Sequence, residues 1–553
     1  MTDVRESAGS YRGVIDLGSN SVRLVIYRED AHGFPWEVED VKRSLRLIDR
    51  LRDDGTFAPE AVETVRAALR DFLGRAELFG LGPEALVGVA TQVFREARDG
   101  PDVLASLSRE TGISFRLLSG EEEAFLGACG ATTFLPFARG VVVDVGGGST
   151  EITAFCGGSF RGISIPWGAV DATRALSSDP PTREAVAALR LRISREIAAE
   201  LARHPEIREA LSENGGSARE SDDACKEKVG TFLEDWRSPV LIGIGGTVRS
   251  VARVLQAHAE YPLPLLHGFS FRRQELERLA KHVLTRPLEA RRRIRGLSSD
   301  RAEIIPGGAL VLLTVWEVLG AERLVVGERG LREGVLLASR CSAAEAGSAS
   351  RMRLFEASAR RLRSFYPEGE GPGEARARAA AAILDALEEA GYECLSTEER
   401  RLILWAARLR DVGRGIDPRA FAPHTFYLLL YGLLYGLTHR ERVFLAATAS
   451  FSTRKAARKA LKPYAPLLPR NVRRRVVALG TLLRLAEIFG EGGGNVQAEV
   501  LPRGRKGAAL VVSGMFRTPW LLRAQALEWT KKLGEALGVD LELELGEGGG
   551  GSP

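Results

Sequence analysis

Four acids and three glycine-rich turns are spaced so that they could work together. The stretch Val141-Val142-Val143-Asp144-Val145-Gly146-Gly147-Gly148-Ser149-Thr150-Glu151 opens as a β-branched apolar run, the pattern of a buried strand. A carboxylate and three glycines then break it. Glycine lets the backbone turn sharply and brings main-chain N–H groups close to an anion, and Ser149 and Thr150 add hydroxyl donors. Glu151 returns a second acid one short loop after Asp144. Phosphate oxygens together with a divalent cation would satisfy all of these groups at once.

An earlier stretch has the same grammar. Gly13-Val14-Ile15-Asp16-Leu17-Gly18-Ser19-Asn20-Ser21-Val22-Arg23 reads as strand, Asp, Gly-Ser turn and strand again. Two such turns suggest a duplicated domain with a phosphate cleft between its halves. Gly243-Ile244-Gly245-Gly246-Thr247 supplies a third turn. A lone glycine turn serves mostly to redirect the chain; three in order, two led by Asp, are far more specific. Arg95, at the end of Leu86-Val87-Gly88-Val89-Ala90-Thr91, could clamp a phosphate through paired N–H donors or form a surface salt bridge. In Ser119-Gly120-Glu121-Glu122-Glu123, Ser119 reads as an N-cap. Helix stabilisation accounts for two of the glutamates, and one could act as a general base toward water.

These groups need a frame. At 553 residues the chain has room for roughly three or four domains. With 45% hydrophobic and 27% charged residues it belongs to the soluble globular class, and the net charge is only +5. Cys129, Cys156, Cys225, Cys341 and Cys394 are widely spaced, which points away from a disulfide scaffold or zinc and toward a reducing, cytoplasmic setting. The polar N-terminus shows no signal peptide, and no run of apolar residues is long enough for a membrane span.

In chain order, strands and helices alternate up to a Ser/Ala/Gly-rich boundary at 341–350, with a polar insert at 212–227 expected to be a disordered loop. Helical periodicity follows at 352–365, 373–390, 397–412, 426–437, 441–450 and 473–489. A glycine break at 490–494 precedes two strands (508–512 and 541–545) and a helix (524–537). The expected domains are therefore 1–135, 136–340, 351–490 and 495–547. From Arg442 to Ala486 there is no acid, while Arg454, Lys455, Arg458, Lys459, Arg473, Arg474 and Arg475 all occur. A one-signed run of this length suits a long polyanion such as polyphosphate or nucleic acid, or an acidic partner.

The motifs resemble those of the exopolyphosphatase / guanosine pentaphosphate phosphohydrolase family. Those that carry the likeness are Ile15–Ser21, Ala90-Thr91 with Arg95-Glu96-Ala97, Ser119-Gly120 with Glu122-Glu123-Ala124, Asp144–Glu151, Gly245-Gly246-Thr247 and Gly330-Leu331-Arg332-Glu333-Gly334. The resemblance implies an α/β fold of two ribonuclease-H-like domains, of the actin-like ATPase superfamily, followed by an all-α HD-like domain and a small α+β C-terminal region. It implies Mg²⁺-dependent release of terminal phosphate from inorganic polyphosphate, with guanosine pentaphosphate hydrolysis as the close alternative. A non-catalytic polyphosphate- or nucleic-acid-binding protein and a nucleotide-consuming kinase or ATPase are further readings.

By the same resemblance Glu123 is the catalytic base, and Asp144 and Glu151 sit at the metal. Asp16, Gly18, Ser19, Asn20 and Ser21 form the first phosphate loop, Gly146, Gly147, Gly148 and Ser149 the second, and Gly245, Gly246 and Thr247 the third. Arg95 contacts phosphate. In the helical half, Arg410-Asp411 stands where longer members carry His-Asp, and guanidinium is not a metal ligand. That half is expected to bind the polyanion or form a homodimer surface.

Overall fold

The computed structural model describes residues 10–29, 35–135, 137, 139–156, 158–211, 240–337, 351–366, 370–491, 496–503, 507–514 and 519–546. The expected loop at 212–227 and boundary at 341–350 lie outside them. The described residues form two units, the first within residues 1–350 and the second from Arg351 onward.

The first unit is built on two sheets of matching plan. In one, β1 (Tyr11–Leu17), β2 (Ser21–Glu29) and β3 (Pro35–Ser44) make an antiparallel meander, and β4 (Leu86–Ala90) and β5 (Ser114–Leu117) add in parallel, giving the order β3-β2-β1-β4-β5. In the other, β6 (Arg139–Val145), β7 (Thr150–Cys156) and β8 (Ser159–Ile165) form the meander. Here β9 (Val240–Ile244) and β11 (Arg323–Val326) are the parallel strands, so β8-β7-β6-β9-β11 repeats the first order, and β10 (Ser270–Arg272) is added at the edge. The duplication inferred from Asp16 and Asp144 is thus a repeat of topology, and each acid lies near the end of the first strand of its sheet.

Parallel strands covered by helices are buried on both faces, which is why β9 is apolar throughout. Helix Ile305–Leu319 is almost entirely buried and anchors the second sheet's core with Trp316, Leu310 and Val311. Phe72, Leu69 and Val65 on helix Pro59–Glu77 do the same for the first sheet. A full Leu or Phe side chain buried in this way contributes about 1.5–3 kcal/mol.

The second unit carries seven helices among its described residues before its sheet: Arg351–Ser364, Glu370–Glu389, Thr397–Arg408, Phe421–Tyr431, His439–Ala449, Arg454–Leu461 and Arg470–Glu491. The helix expected at 426–437 starts earlier and stops at Tyr431, because Gly432 is extended and Gly436 takes a positive φ of 71°. A strand missed by sequence, β12 (Gln497–Arg503), pairs antiparallel with β13 (Gly507–Ser513), and β14 (Asp540–Gly546) pairs parallel with β13 after the Pro519–Leu537 helix. Pro502 obscures β12 because proline cannot donate to a ladder, which suits this edge position.

Two expectations are corrected here. Arg475 is buried, with Nη2 2.8 Å from Glu393 and Nη1 3.3 Å from Glu399, so it belongs to no surface track. Arg442, at the head of the basic run, is also buried and donates to the carbonyl of Gly432 at 2.7 Å. Cys394 is disulfide-bonded, which departs from the thiol-only reading of the cysteine spacing. Arg454, Lys455, Arg458, Lys459 and Arg474 are exposed and Arg473 is half-buried. Arg410 is buried, with Nε 3.0 Å from Glu487 and Nη1 donating to the Ala449 carbonyl at 2.7 Å, while Arg376 and Arg414 pair with Asp411.

Candidate active site

Two hairpin tips form the site's walls. The β1–β2 turn closes with Gly18 N–H donating to the Ser21 carbonyl at 3.1 Å, and the β6–β7 turn with Gly146 N–H donating to the Ser149 carbonyl at 3.0 Å. Each tip is therefore a two-residue loop, Ser19-Asn20 in one and Gly147-Gly148 in the other. The tips face each other closely: a Cβ placed on Gly147 would lie 3.6 Å from Asn20 Cβ and 3.7 Å from Ser19 Cβ. Glycine at 147 leaves that gap open for a ligand.

Between the tips lies a cleft of about 190 Å³. Asp16, Gly18, Ser19, Asn20, Ser21, Glu123, Asp144, Gly146, Gly147, Gly148, Ser149, Gly245 and Gly246 all line it, so most of the residues picked out by motif converge. Asp144 is housed by Gly245, whose φ of +84° suits glycine; a Cβ there would stand 2.1 Å from Asp144 Oδ1.

Three residues fall elsewhere. Thr247 is buried and its side chain packs against Gly308, so it supports the lobe and does not touch the cleft. Glu151 is 5% exposed and stands directly opposite Asp144 across the β6–β7 ladder, accepting from Ser164 Oγ at 2.9 Å. Arg95 does not line the cleft. Its Nη1 donates to Glu123 Oε2 at 2.9 Å and to the Leu118 carbonyl at 2.7 Å, so it serves the acid directly.

The fate of the three glutamates is settled by the cap of helix Gly120–Thr133. Ser119 Oγ accepts from Glu122 N–H at 3.1 Å while the Glu122 carboxylate accepts from Ser119 N–H at 2.8 Å, a reciprocal capping box. Glu121 is exposed, and Glu123 is left facing the cleft. Burial lifts the Glu123 carboxyl to about 7, against the lowering effect of Arg95 and with Asp144 and Asp16 adding repulsion. Asp144 is raised to about 6, by burial first, with Arg249 and Arg332 opposing and Asp16 reinforcing. Burial, then Glu123 and Asp144, drives Glu151 well above its ordinary range. Asp16 is also raised by burial, although Arg332 Nη1 stands 3.2 Å from its Oδ2.

Sequence reasoning missed the cations. Arg23, Lys42, Arg249, Arg301, Arg329 and Arg332 all line the cleft, with Gln92 beside them. Arg23 is paired across the β1–β2 ladder with Asp16, the position that Glu151 holds opposite Asp144 in the second sheet, so the duplicated hairpins differ by a charge reversal at one register position. Arg249 lies one turn after Gly246 on helix Gly245–His258, and helical spacing alone could have found it. Arg332 falls inside the Gly330–Gly334 motif. Its helix, Leu331–Leu337, is tied to the first sheet by Tyr27 Oη donating to Glu333 Oε1 at 2.7 Å. Nothing local marks Arg301.

A two-lobed α/β unit with paired phosphate-type hairpins, a buried acid and a cationic cleft is the frame of a phosphoryl-transfer protein. Residues 25–342 match the Ppx/GppA phosphatase family, and residues 373–521 match the Ppx/GppA phosphatase domain III. The chain belongs to the Ppx/GppA phosphatase family. Over 329 residues it is 27% identical to Exopolyphosphatase 1 of Mycobacterium tuberculosis and of Mycobacterium bovis, covering 59% of this chain and 87% of theirs. Among solved structures it is similar to an Aquifex aeolicus Ppx/GppA family member, with 26% identity, a TM-score of 0.47, and coverage of 60% of this chain and 97% of that one. It is also similar to an exopolyphosphatase from Cytophaga hutchinsonii, with 20% identity, a TM-score of 0.49, and coverage of 61% and 100%.

Proposed function

We propose that the protein is an exopolyphosphatase that releases orthophosphate from the end of inorganic polyphosphate. The observation that carries this reading is the lining of the cleft. Two hairpin tips and six cations surround a largely buried carboxylate, and the remaining lining is glycines, hydroxyls, amides, further acids and aliphatic residues. Such a wall suits a bare phosphate chain, because each charge of the substrate meets an N–H or a guanidinium. It supports polyphosphate over guanosine pentaphosphate, whose base would gain from an aromatic surface.

In this reading the terminal phosphate rests on the main-chain N–H groups of Ser19-Asn20 and Gly147-Gly148. Glu123, with a carboxyl near neutrality, takes the proton from the attacking water. Arg95 holds that carboxylate in place, and Arg332 stabilises the charge that builds on the equatorial oxygens. The donor set fits Mg²⁺, which prefers carboxylate, water and phosphate oxygens. Asp144 would hold it at the cleft with Glu151 behind, and the ion would supply neutralisation of charge on the oxygens of the breaking bond. The exposed cations Arg454, Lys455, Arg458, Lys459 and Arg474, with half-buried Arg473, are proposed to retain the remote polyanion.

We also place the protein in the cytoplasm as a homodimer. No helix among the described residues is long and apolar enough to cross a membrane. Sedimentation of the purified chain and cell fractionation test these two points. The function itself is tested by phosphate release from long-chain polyphosphate: Glu123→Gln should lose about 10²–10⁴-fold in kcat while still binding the substrate. Wild-type turnover by that variant would remove the base assignment, and faster release from guanosine pentaphosphate than from polyphosphate would reverse the substrate order.

A further inference from the structure

The second unit holds a cavity of about 280 Å³ that the reaction above does not use. Three elements close it: the turn at Phe451 leading into helix Arg454–Leu461, the helix Arg470–Glu491 through Val477, and the helix Pro519–Leu537 through Trp529, Lys532 and Ala536. The last three sit at i, i+3 and i+7, one face of that helix. Phe451 is buried and meets Trp529 edge to face, with ring centroids 6.4 Å apart. Lys532 Nζ lies 4.3 Å from the Trp529 ring centroid, a cation held over an aromatic face.

The walls are apolar and aromatic, whereas Arg454, Lys455 and Lys532 surround them with positive charge and Glu535 adds one carboxylate. Arg454 and Lys455 form no ion pair among the described residues. A bare phosphate chain would lose its hydration against Phe451, Val477 and Trp529, where only the hydroxyls of Thr453 and Thr481 could replace part of it. A purely apolar ligand would leave the cations unanswered. A molecule with a flat, weakly polar body and an attached phosphate matches both parts, and Glu535 can accept from a sugar hydroxyl or a ring amino group.

We propose that this cavity is a nucleoside phosphate site, distinct from the catalytic cleft, with the base against Trp529 and Phe451 and the phosphate on Arg454 and Lys455. Unlike the polyanion reading of the same two cations, it requires the apolar cavity.

The test is calorimetric titration of ADP and GDP into full-length Glu123→Gln protein, which should hydrolyse phosphoanhydrides in the cleft too slowly to deplete them. Saturating inorganic tripolyphosphate is present so that the cleft is already filled. The expected result is nucleotide binding that persists under tripolyphosphate and weakens about tenfold or more in both Ala536→Trp, which fills the cavity, and Lys455→Glu. Ala536→Trp in an otherwise native chain should leave phosphate release from short polyphosphate unchanged. Absence of binding under tripolyphosphate overturns the proposal, as does binding indifferent to both substitutions. A second equivalent of tripolyphosphate lost in Lys455→Glu would assign these cations to bare polyphosphate instead. If Ala536→Trp does not fold, Lys455→Glu, at an exposed position, decides alone. The active-site reading fails separately, on native turnover.

Discussion

Arg95 and Glu123 are joined by a single 2.9 Å bond, and the same Arg95 nitrogen also donates to the Leu118 carbonyl, 2.7 Å away. The guanidinium is thus fixed by the link between β5 and helix Gly120–Thr133 and holds the acid at that helix's first turn. Of the two readings of Arg95, phosphate clamp or salt bridge, the geometry shows an ion pair, made with Glu123, and in the proposed function that pair tunes the base.

This gives a pH prediction. Glu123 must be ionised to accept a proton, so the rate should rise with pH through the region near 7 where burial holds its carboxyl. Arg95 lowers that value, and Arg95→Gln removes the lowering. The rising limb of the kcat profile should move to higher pH, so that activity falls most at pH 6 and least at pH 9, and Arg95→Lys should recover part of the shift. An unmoved limb with a raised KM would return Arg95 to the role of phosphate ligand.

The same burial makes a stability prediction. Because the folded carboxyl of Glu123 lies above its ordinary 4.5, its contribution to stability is complete below that value and is lost as pH rises through about 7. Glu123→Gln keeps an acceptor for Arg95 but no charge to bury. The variant should therefore melt above the native protein at pH 8 and show no such advantage at pH 4, as followed by calorimetry without added metal.

Gly245 offers a steric test. Alanine there would place its Cβ 2.1 Å from Asp144 Oδ1 on a backbone with φ of +84°. The left-handed conformation alone costs about 1–2 kcal/mol for a residue with a side chain. Gly245→Ala should lower the melting temperature modestly, weaken Mg²⁺ activation and cut phosphate release about tenfold or more. Full activity at native Mg²⁺ would show that Asp144 does not need this pocket.

Arg249 and Arg301 also line the cleft, and in the proposed reading they meet the phosphates behind the terminal one. Arg249→Ala and Arg301→Ala should raise KM for long polyphosphate about tenfold with a smaller change in kcat, and the salt dependence of KM should flatten. A loss confined to kcat would place these side chains at the reacting phosphate.

In the second unit, Arg410 and Glu487 form a buried ion pair. Removing one member of such a pair is strongly destabilising, because the other is left buried without full compensation. Arg414 and Arg484 also approach Glu487, so Arg410→Ala should cost about 3 kcal/mol, at the low end of that class. Denaturant melts of the full chain read it out, and Arg410→His should neither restore stability nor create metal binding.

By itself the amino-acid order determined the repeated hairpins and the identities of Asp16, Asp144 and Glu123, because glycine turns, β-branched strands and helix caps are set by neighbours in the chain. It also carried most strands of the first unit, the central ones through the apolar runs that burial on both faces leaves. Its reading stopped where partners come from distant segments. Whether Arg95 meets a phosphate or Glu123, whether Thr247 faces the cleft or the core, and whether Arg475 is a surface cation or a buried partner of Glu393 all depend on long-range packing. The cleft's cations show this most clearly: Arg23 and Lys42 come from one sheet, and Arg249, Arg301, and Arg329 with Arg332, come from three later segments. Only the tertiary structure could gather them, since charge acts through space and local sequence constrains only what lies within a turn or a ladder.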